Sequence, residues 1–188
     1  AGQPTNAVYG FAQMVLPLLE QEQPAFVAVA FDAPGPTFRH ELTDTYKATR
    51  KATEVELRAQ MDLARELVAV LGLHGIEQSG VEADDLIGTL AVRGRERGQD
   101  VLIISGDRDL VQLIGPGIAV MAPMKGMSDV TRYDEAKVRK QYGVGPELIA
   151  DLKALAGDSS DNIQGIAGVG PVGAAKLLQQ FGGVIELY

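Results

Sequence analysis

Apolar positions recur at helical spacing over residues 6–22, where Val8, Phe11, Val15, Leu16 and Leu19 form one stripe. Pro24 ends that helix, and Ala25-Phe26-Val27-Ala28-Val29-Ala30-Phe31 then reads as a buried strand. Its uniform apolarity predicts a parallel sheet covered on both faces. Asp32 stands at its carboxyl end, and residues 33–50 read as a polar, basic loop around Pro34, Gly35 and Pro36. The pattern predicts an amphipathic helix over 54–71, an extended piece near 74–77, and a helix from near Glu82 to Gly94 or slightly beyond. Val101-Leu102-Ile103-Ile104-Ser105 reads as a second buried strand, and residues 118–121 as another. Residues 134–141, 146–156 and 170–181 read as helices. Alternating strands and helices imply an α/β fold, with a mainly parallel central sheet flanked by helices.

Composition narrows the chemistry. A chain of 188 residues with 46% hydrophobic and 22% charged positions is expected to form one domain, with a small appendage at most. The absence of cysteine excludes disulfides, thiolate zinc sites and cysteine nucleophiles, and two histidines cannot build a three-histidine metal site. No Gly-x-Ser-x-Gly marks a serine hydrolase. No apolar run approaches the roughly 18 residues of a membrane span, and the opening residues do not resemble a signal peptide. The expectation is a cytoplasmic protein without a membrane partner. A net charge of −8 argues at first against nucleic acid, because phosphates attract lysine and arginine.

The distribution of the acids changes that picture. Ligands of open α/β sheets bind beyond the carboxyl ends of the strands. Asp32 lies at one such end, and Asp107 and Asp109 just past another. Glu82, Asp84 and Asp85 open a helix whose inward stripe is read as Ile87, Leu90 and Ala91. Asp84 shares that stripe, while Glu82 and Asp85 share a neighbouring face. Singly, each group suits a helix start or a loop. Together they converge on one edge, where two carboxylates about 4 Å apart repel by roughly 4 kcal/mol at an effective dielectric of 20. Raised pKa values or divalent cations must offset that cost. An all-oxygen set points to Mg²⁺ or Mn²⁺. Asp158 and Asp161 form a further group, for which capping a helix through Asp161 is the simpler reading. If they join, neutralising eight carboxylates removes the whole formal charge of −8, and the objection to nucleic acid weakens.

Gly168-Val169-Gly170-Pro171-Val172-Gly173 formally matches a dinucleotide fingerprint, but no buried strand precedes it. Gly165 to Gly170, followed by Ala174, Ala175, Leu177 and Leu178, reads instead as helix, tight hairpin, helix. The N–H groups at such a helix start suit a phosphate, without reading sequence. An ordinary glycine-rich turn between packed helices remains the alternative.

Phe31-Asp32, Phe38-Arg39-His40, Tyr46-Lys47-Ala48-Thr49-Arg50, Val81-Glu82-Ala83-Asp84-Asp85, Ser105-Gly106-Asp107-Arg108-Asp109, Gly157-Asp158-Ser159-Ser160-Asp161-Asn162 and the hairpin follow one another in an order that resembles the bacterial 5′-nuclease family. That family comprises the 5′→3′ exonuclease domain of DNA polymerase I and its flap-endonuclease relatives. The resemblance covers almost the whole chain. It implies an α/β nuclease core over 1–142 with a helical arch at about 39–72, and a helix-hairpin-helix subdomain of the H3TH kind over 143–188. It implies metal-dependent hydrolysis of phosphodiesters in branched or nicked DNA, in replication and repair. Two or more Mg²⁺ or Mn²⁺ ions would be held by Asp32, Glu82, Asp84, Asp85, Asp107, Asp109, Asp158 and Asp161. Asp32, Glu82, Asp84 and Asp107 would serve the inner ion, and Asp109, Asp158 and Asp161 the second. Lys47 and Arg50 would join Asp84 as the catalytic candidates by neutralising the reacting phosphate, while Tyr46 would stack on a base and Arg39 contact the same phosphates. Gly165, Gly168, Gly170 and Lys176 would grip duplex DNA, with a K⁺ ion at the hairpin. The implied partners are DNA with 5′ flaps, nicks or 5′ ends and a fused or associated DNA polymerase, and the chain itself is expected to be a monomer.

Family members usually open with a strand ending in another catalytic Asp, ahead of a segment like Gly2 to Phe11, and continue past the position of Tyr188. Gln164 stands where a proline is common. Two other readings stay open. Asp107-Arg108-Asp109 imitates the Asp-x-Asp of haloacid-dehalogenase phosphatases, which leaves Glu82, Asp84, Asp85 and the hairpin unexplained. The other is a structure-specific DNA-binding module with impaired catalysis.

Overall fold

The computed structural model describes residues 4–50, 53–123 and 130–187, so Gly2, Gln3 and Tyr188 lie outside the described residues. Helix α1 (Asn6–Glu22) follows its apolar stripe and ends where Gln23 takes a left-handed φ of 44° ahead of Pro24. The chain then forms β1 (Ala28–Ala30), which pairs in parallel with β2 (His74–Ile76). This strand is shorter than its apolar run predicts, and it is not buried on both faces: Ala28 is exposed, as is Phe26 of the run ahead of it. Only three residues of β2 are there to pair with it, and an apolar run gains burial only where a neighbour covers it.

The expected loop over 33–50 contains a helix, α2 (Phe38–Leu42). Thr37 caps it, and its N–H donates to His40 Nδ1 at 3.1 Å. Helix α3 (Val55–Val70) packs along α1. Buried Gln60 ties the two together, accepting the Ala7 N–H at 2.7 Å and donating to Asn6 Oδ1 at 3.3 Å. Helix α4 (Ala83–Glu96) rests on both β1 and β3 (Val101–Ile104). Its inward face is rotated from the expected stripe. Ala91 is buried and Ile87 packs on the core, whereas Leu90 is 43% exposed. Leu90 and Ala91 lie about 100° apart on a helix. Turning one inward therefore carries the other out.

β3 pairs in parallel with β4 (Ile118–Pro123), and β5 (Val130–Tyr133) adds antiparallel to β4. Among the described residues the strands thus form a parallel pair and a mixed three-stranded sheet, bridged by α4 rather than hydrogen-bonded into one. Helix α5 (Glu135–Tyr142) precedes α6 (Ile149–Ala156), which a 3₁₀ turn over Pro146–Leu148 introduces. A small hairpin of β6 (Gly157–Asp158) and β7 (Ile163–Gln164) leads to α7 (Pro171–Phe181). One apolar core joins Ile103 and Val120 of the sheet to Val138 of α5, Leu152 and Leu155 of α6, and Ala174 and Leu178 of α7. A small second cluster joins Phe31 to Ala64 and Val68. Among the described residues no helix is long and apolar enough to cross a membrane.

Candidate active site

Asp32 follows β1, and its Oδ1 accepts the Ala83 N–H at 2.8 Å, which fixes the carboxylate against the first turn of α4. Glu82, Asp84 and Asp85 occupy that same turn. Asp107 follows β3 and accepts the Asp109 N–H at 2.8 Å, capping the 3₁₀ helix Arg108–Leu113. The end of β3 and the N-terminus of α4 therefore deliver acids to one cleft of about 690 Å³, while Asp32 and Asp158 stand outside its lining. Glu82, Asp84, Asp107, Asp109 and Asp161 line it, with Tyr46 and Lys47. The Asp84 carboxyl is pushed up to about 6, first by burial and then by the charges of Asp107, Asp32 and Glu82.

Basic groups from the segment after α2 close over these acids. The Lys47 ammonium donates to Glu82 at 2.8 Å, and its backbone N–H to the Asp161 carbonyl at 2.9 Å. Burial opposes the charge of Lys47, yet its bond to Glu82 leaves the amine above its ordinary range. Arg50 donates to Asp161 Oδ1 at 2.8 Å and to the Ser160 carbonyl at 3.3 Å. Asn162 secures the same junction by donating to the Thr45 carbonyl at 2.8 Å.

Two expected DNA contacts are placed differently. Tyr46 is only 5% exposed, so its ring is not on offer to a base in this arrangement. Its hydroxyl donates to Glu82 at 3.0 Å, His40 meets its ring edge-on, and burial with the neighbouring carboxylate pushes the phenol up to about 12. The Arg39 guanidinium forms a two-pronged pair with Asp85, both bonds 2.7 Å, and lies over the Phe38 ring. That fork holds Asp85 below the usual carboxylate range. Because Asp85 Oδ2 also accepts the Glu82 N–H at 2.9 Å, Asp85 serves as the anchor of Arg39 and of the helix start rather than as an open cation ligand. Arg39→Gln is expected to lower stability by about 1–2 kcal/mol, read as a fall in melting temperature in EDTA.

Asp161 does not cap a helix, contrary to the simpler reading of its sequence. It lies between β6 and β7 and accepts from Arg50 and Tyr46. Asp158 accepts from Ser160 and, at 2.7 Å, from Lys153 of α6, whose ammonium also pairs with Asp109. Burial works against it, but the bonds from Lys153 and Ser160 hold Asp158 down at about 2. Lys153 was not singled out by the sequence. Its run Ile-Ala-Asp-Leu-Lys-Ala-Leu-Ala signals only an amphipathic helix, and its reach to Asp158 depends on Gly157 (φ 83°) reversing the chain.

The carboxylates offer oxygen donors alone, which suits a hard divalent ion. As placed, however, no three acidic or histidine side chains among the described residues group tightly enough to enclose one. Lysine and arginine hold several of them instead. In the hairpin, a Cβ on Gly165 would fall against the backbone of Ala156 and Gly157, and Gly168 takes a φ of 81°. Gly170 caps α7 in extended conformation, and Lys176 is exposed on that helix.

Comparison with known proteins places the chain in a family. Residues 1–143 match the model described as 5′-3′ exonuclease, N-terminal resolvase-like domain, and residues 144–188 the 5′-3′ exonuclease, C-terminal SAM fold. The chain belongs to the 5′-3′ exonuclease family. It is 49% identical to DNA polymerase I of Bacillus caldotenax over 180 residues, which are 96% of this chain and 20% of that protein. DNA polymerase I of Bacillus subtilis is 46% identical over 183 residues, covering 97% of this chain and 21% of that protein. The chain thus spans about a fifth of the length of these relatives. The fold is that of T5 5′-exonuclease with bound divalent metal ions (zinc), with a TM-score of 0.80 at 22% identity, covering 98% of this chain and 70% of that one.

Proposed function

We propose that this chain is a divalent-metal-dependent 5′ nuclease that cuts branched or nicked DNA. The observation that carries the proposal is the half-buried Asp84 carboxyl, raised by burial and then by Asp107 and Asp32 after the strands and Glu82 at the helix start. Such mutual repulsion between acids is relieved by bound cations. Relatives that are DNA polymerases support a DNA substrate and an attached polymerase.

Asp32, Glu82, Asp84 and Asp107 would hold the inner ion, and Asp109, Asp158 and Asp161 the second. Bound divalent ions would supply Lewis acidity to the phosphodiester and lower the pKa of water. Lys47 and Arg50, now paired with Glu82 and Asp161, would turn to the phosphate oxygens once cations satisfy those acids. Tyr46 would stay as the strut between Glu82 and Asp161 unless the same exchange frees its ring for a base. The Gly165–Gly170 hairpin and Lys176 would hold duplex phosphates without reading sequence.

The test is cleavage of a labelled 5′-flap duplex. Cutting near the junction with Mg²⁺ or Mn²⁺, and none in EDTA, is the expected result. Flap binding without cleavage in either ion would overturn the proposal in favour of a binding module. Hydrolysis of p-nitrophenyl phosphate with no DNA cleavage would favour a phosphatase built on Asp107 and Asp109.

A further inference from the structure

Lys153 reaches from α6 into the gap between two acids that arrive from different directions. Asp109 comes from the 3₁₀ helix after β3, and Asp158 from the chain reversal at Gly157. The ammonium donates to Asp109 Oδ1 and to Asp158 Oδ2, the latter at 2.7 Å. The other Asp158 oxygen, Oδ1, accepts the N–H and the hydroxyl of Ser160. Both oxygens of Asp158 are therefore taken by the protein itself. Its side chain is 11% exposed, so water contributes little to its solvation.

We propose that the Lys153 ammonium is the resident cation of the position shared by Asp109 and Asp158, and that a second divalent ion enters there only by displacing it. The inference rests on the reading of these two acids as holders of the second ion. An ammonium is a compact point charge with rotatable donors, so it can bridge two carboxylates and leave without rearranging the backbone. A dication placed between the same oxygens would stand against that charge at contact distance, where repulsion in a partly dry cleft is strong. The two cations exclude each other. The device keeps Asp109 and Asp158 together when no ion is bound, and it makes the second ion the weaker of the two.

The test is titration of the protein with Mn²⁺ alone, without DNA, followed by calorimetry and by the electron paramagnetic resonance signal of free Mn²⁺. The unaltered protein is expected to take a tight first ion and a weaker second. Lys153→Met is expected to tighten the second ion by roughly tenfold or more and to leave the first unchanged. Lys153→Arg, which keeps the charge, is expected to keep the weak second ion. Should Lys153→Met not fold, Lys153→Gln carries the same expectation. An unchanged or weakened second ion in the uncharged variants would overturn the proposal. Asp109→Asn separates the two failures. If it abolishes the second ion while Lys153→Met changes nothing, only the role of Lys153 falls. If no Mn²⁺ binds, or Asp109→Asn leaves the titration unaltered, the assignment of the acids falls, and this inference with it.

Discussion

Asp84→Asn is expected to cleave flap DNA at least about a thousandfold more slowly and yet to unfold at a higher temperature in EDTA at pH 7. The two effects share one cause. The Asp84 carboxyl is raised from 3.8 to about 6 by burial and by Asp107, Asp32 and Glu82. A folded-state value above the unfolded one means that this group favours the fold most below pH 3.8. That contribution is lost as pH rises through about 6, so at neutral pH the ionised carboxylate is a cost. Asparagine removes the charge at nearly constant volume. After discounting for partial exposure of the group, the gain is about 1–2 kcal/mol. Mn²⁺ affinity of the unaltered protein is expected to weaken as pH falls through about 6, because the protonated group is a poor ligand. Turnover close to that of the unaltered enzyme would sink the assignment. A lower melting temperature in EDTA would show that Asp84 is held by partners rather than strained by like charges.

Gly165→Ala is expected to destabilise the protein by about 3 kcal/mol and to weaken duplex binding with it. The new methyl would fall against backbone atoms of Ala156 and Gly157, which cannot swing aside as a side chain can. The approach is reciprocal, since a Cβ on Gly157 would meet the backbone of Gly165. Relieving the clash means loosening the bond from the Ile166 N–H to the Leu155 carbonyl, 2.8 Å long, which seats the hairpin on the end of α6. Gly168→Ala makes the control. Its φ of 81° disfavours alanine, but no atom stands in the way, so a cost of about 1 kcal/mol is expected. Urea unfolding midpoints of the two variants would rank them, and equal midpoints would refute the close approach.

The helices were legible because their information is local. A stripe such as Val8, Phe11, Val15 and Leu19 states its own period, and α1, α3, α4 and α7 lie within a few residues of the positions that such stripes predict. The four residues of β5 carry too little pattern to announce an antiparallel edge, and α2 is too short to show a period. The strand before Asp32 misled in the other direction. Apolarity marks what a segment can bury, while its length as a strand was set by the three residues of β2 that pair with it.

The sequence by itself determined which acids exist and that several follow strands or open a helix, since strand ends and helix starts are read along the chain. Only the tertiary structure decided what each acid faces. Arg39 saturates Asp85, Lys47 meets Glu82, Arg50 meets Asp161, and Lys153 stands between Asp109 and Asp158. The reason is one of distance. Arg39 and Asp85 lie 46 residues apart, and Arg50 and Asp161 lie 111 apart. A charge pair across such separations exists only once the packing of α4, α6 and the β6–β7 hairpin has brought its members within hydrogen-bond reach. Spacing along the chain carries no record of it.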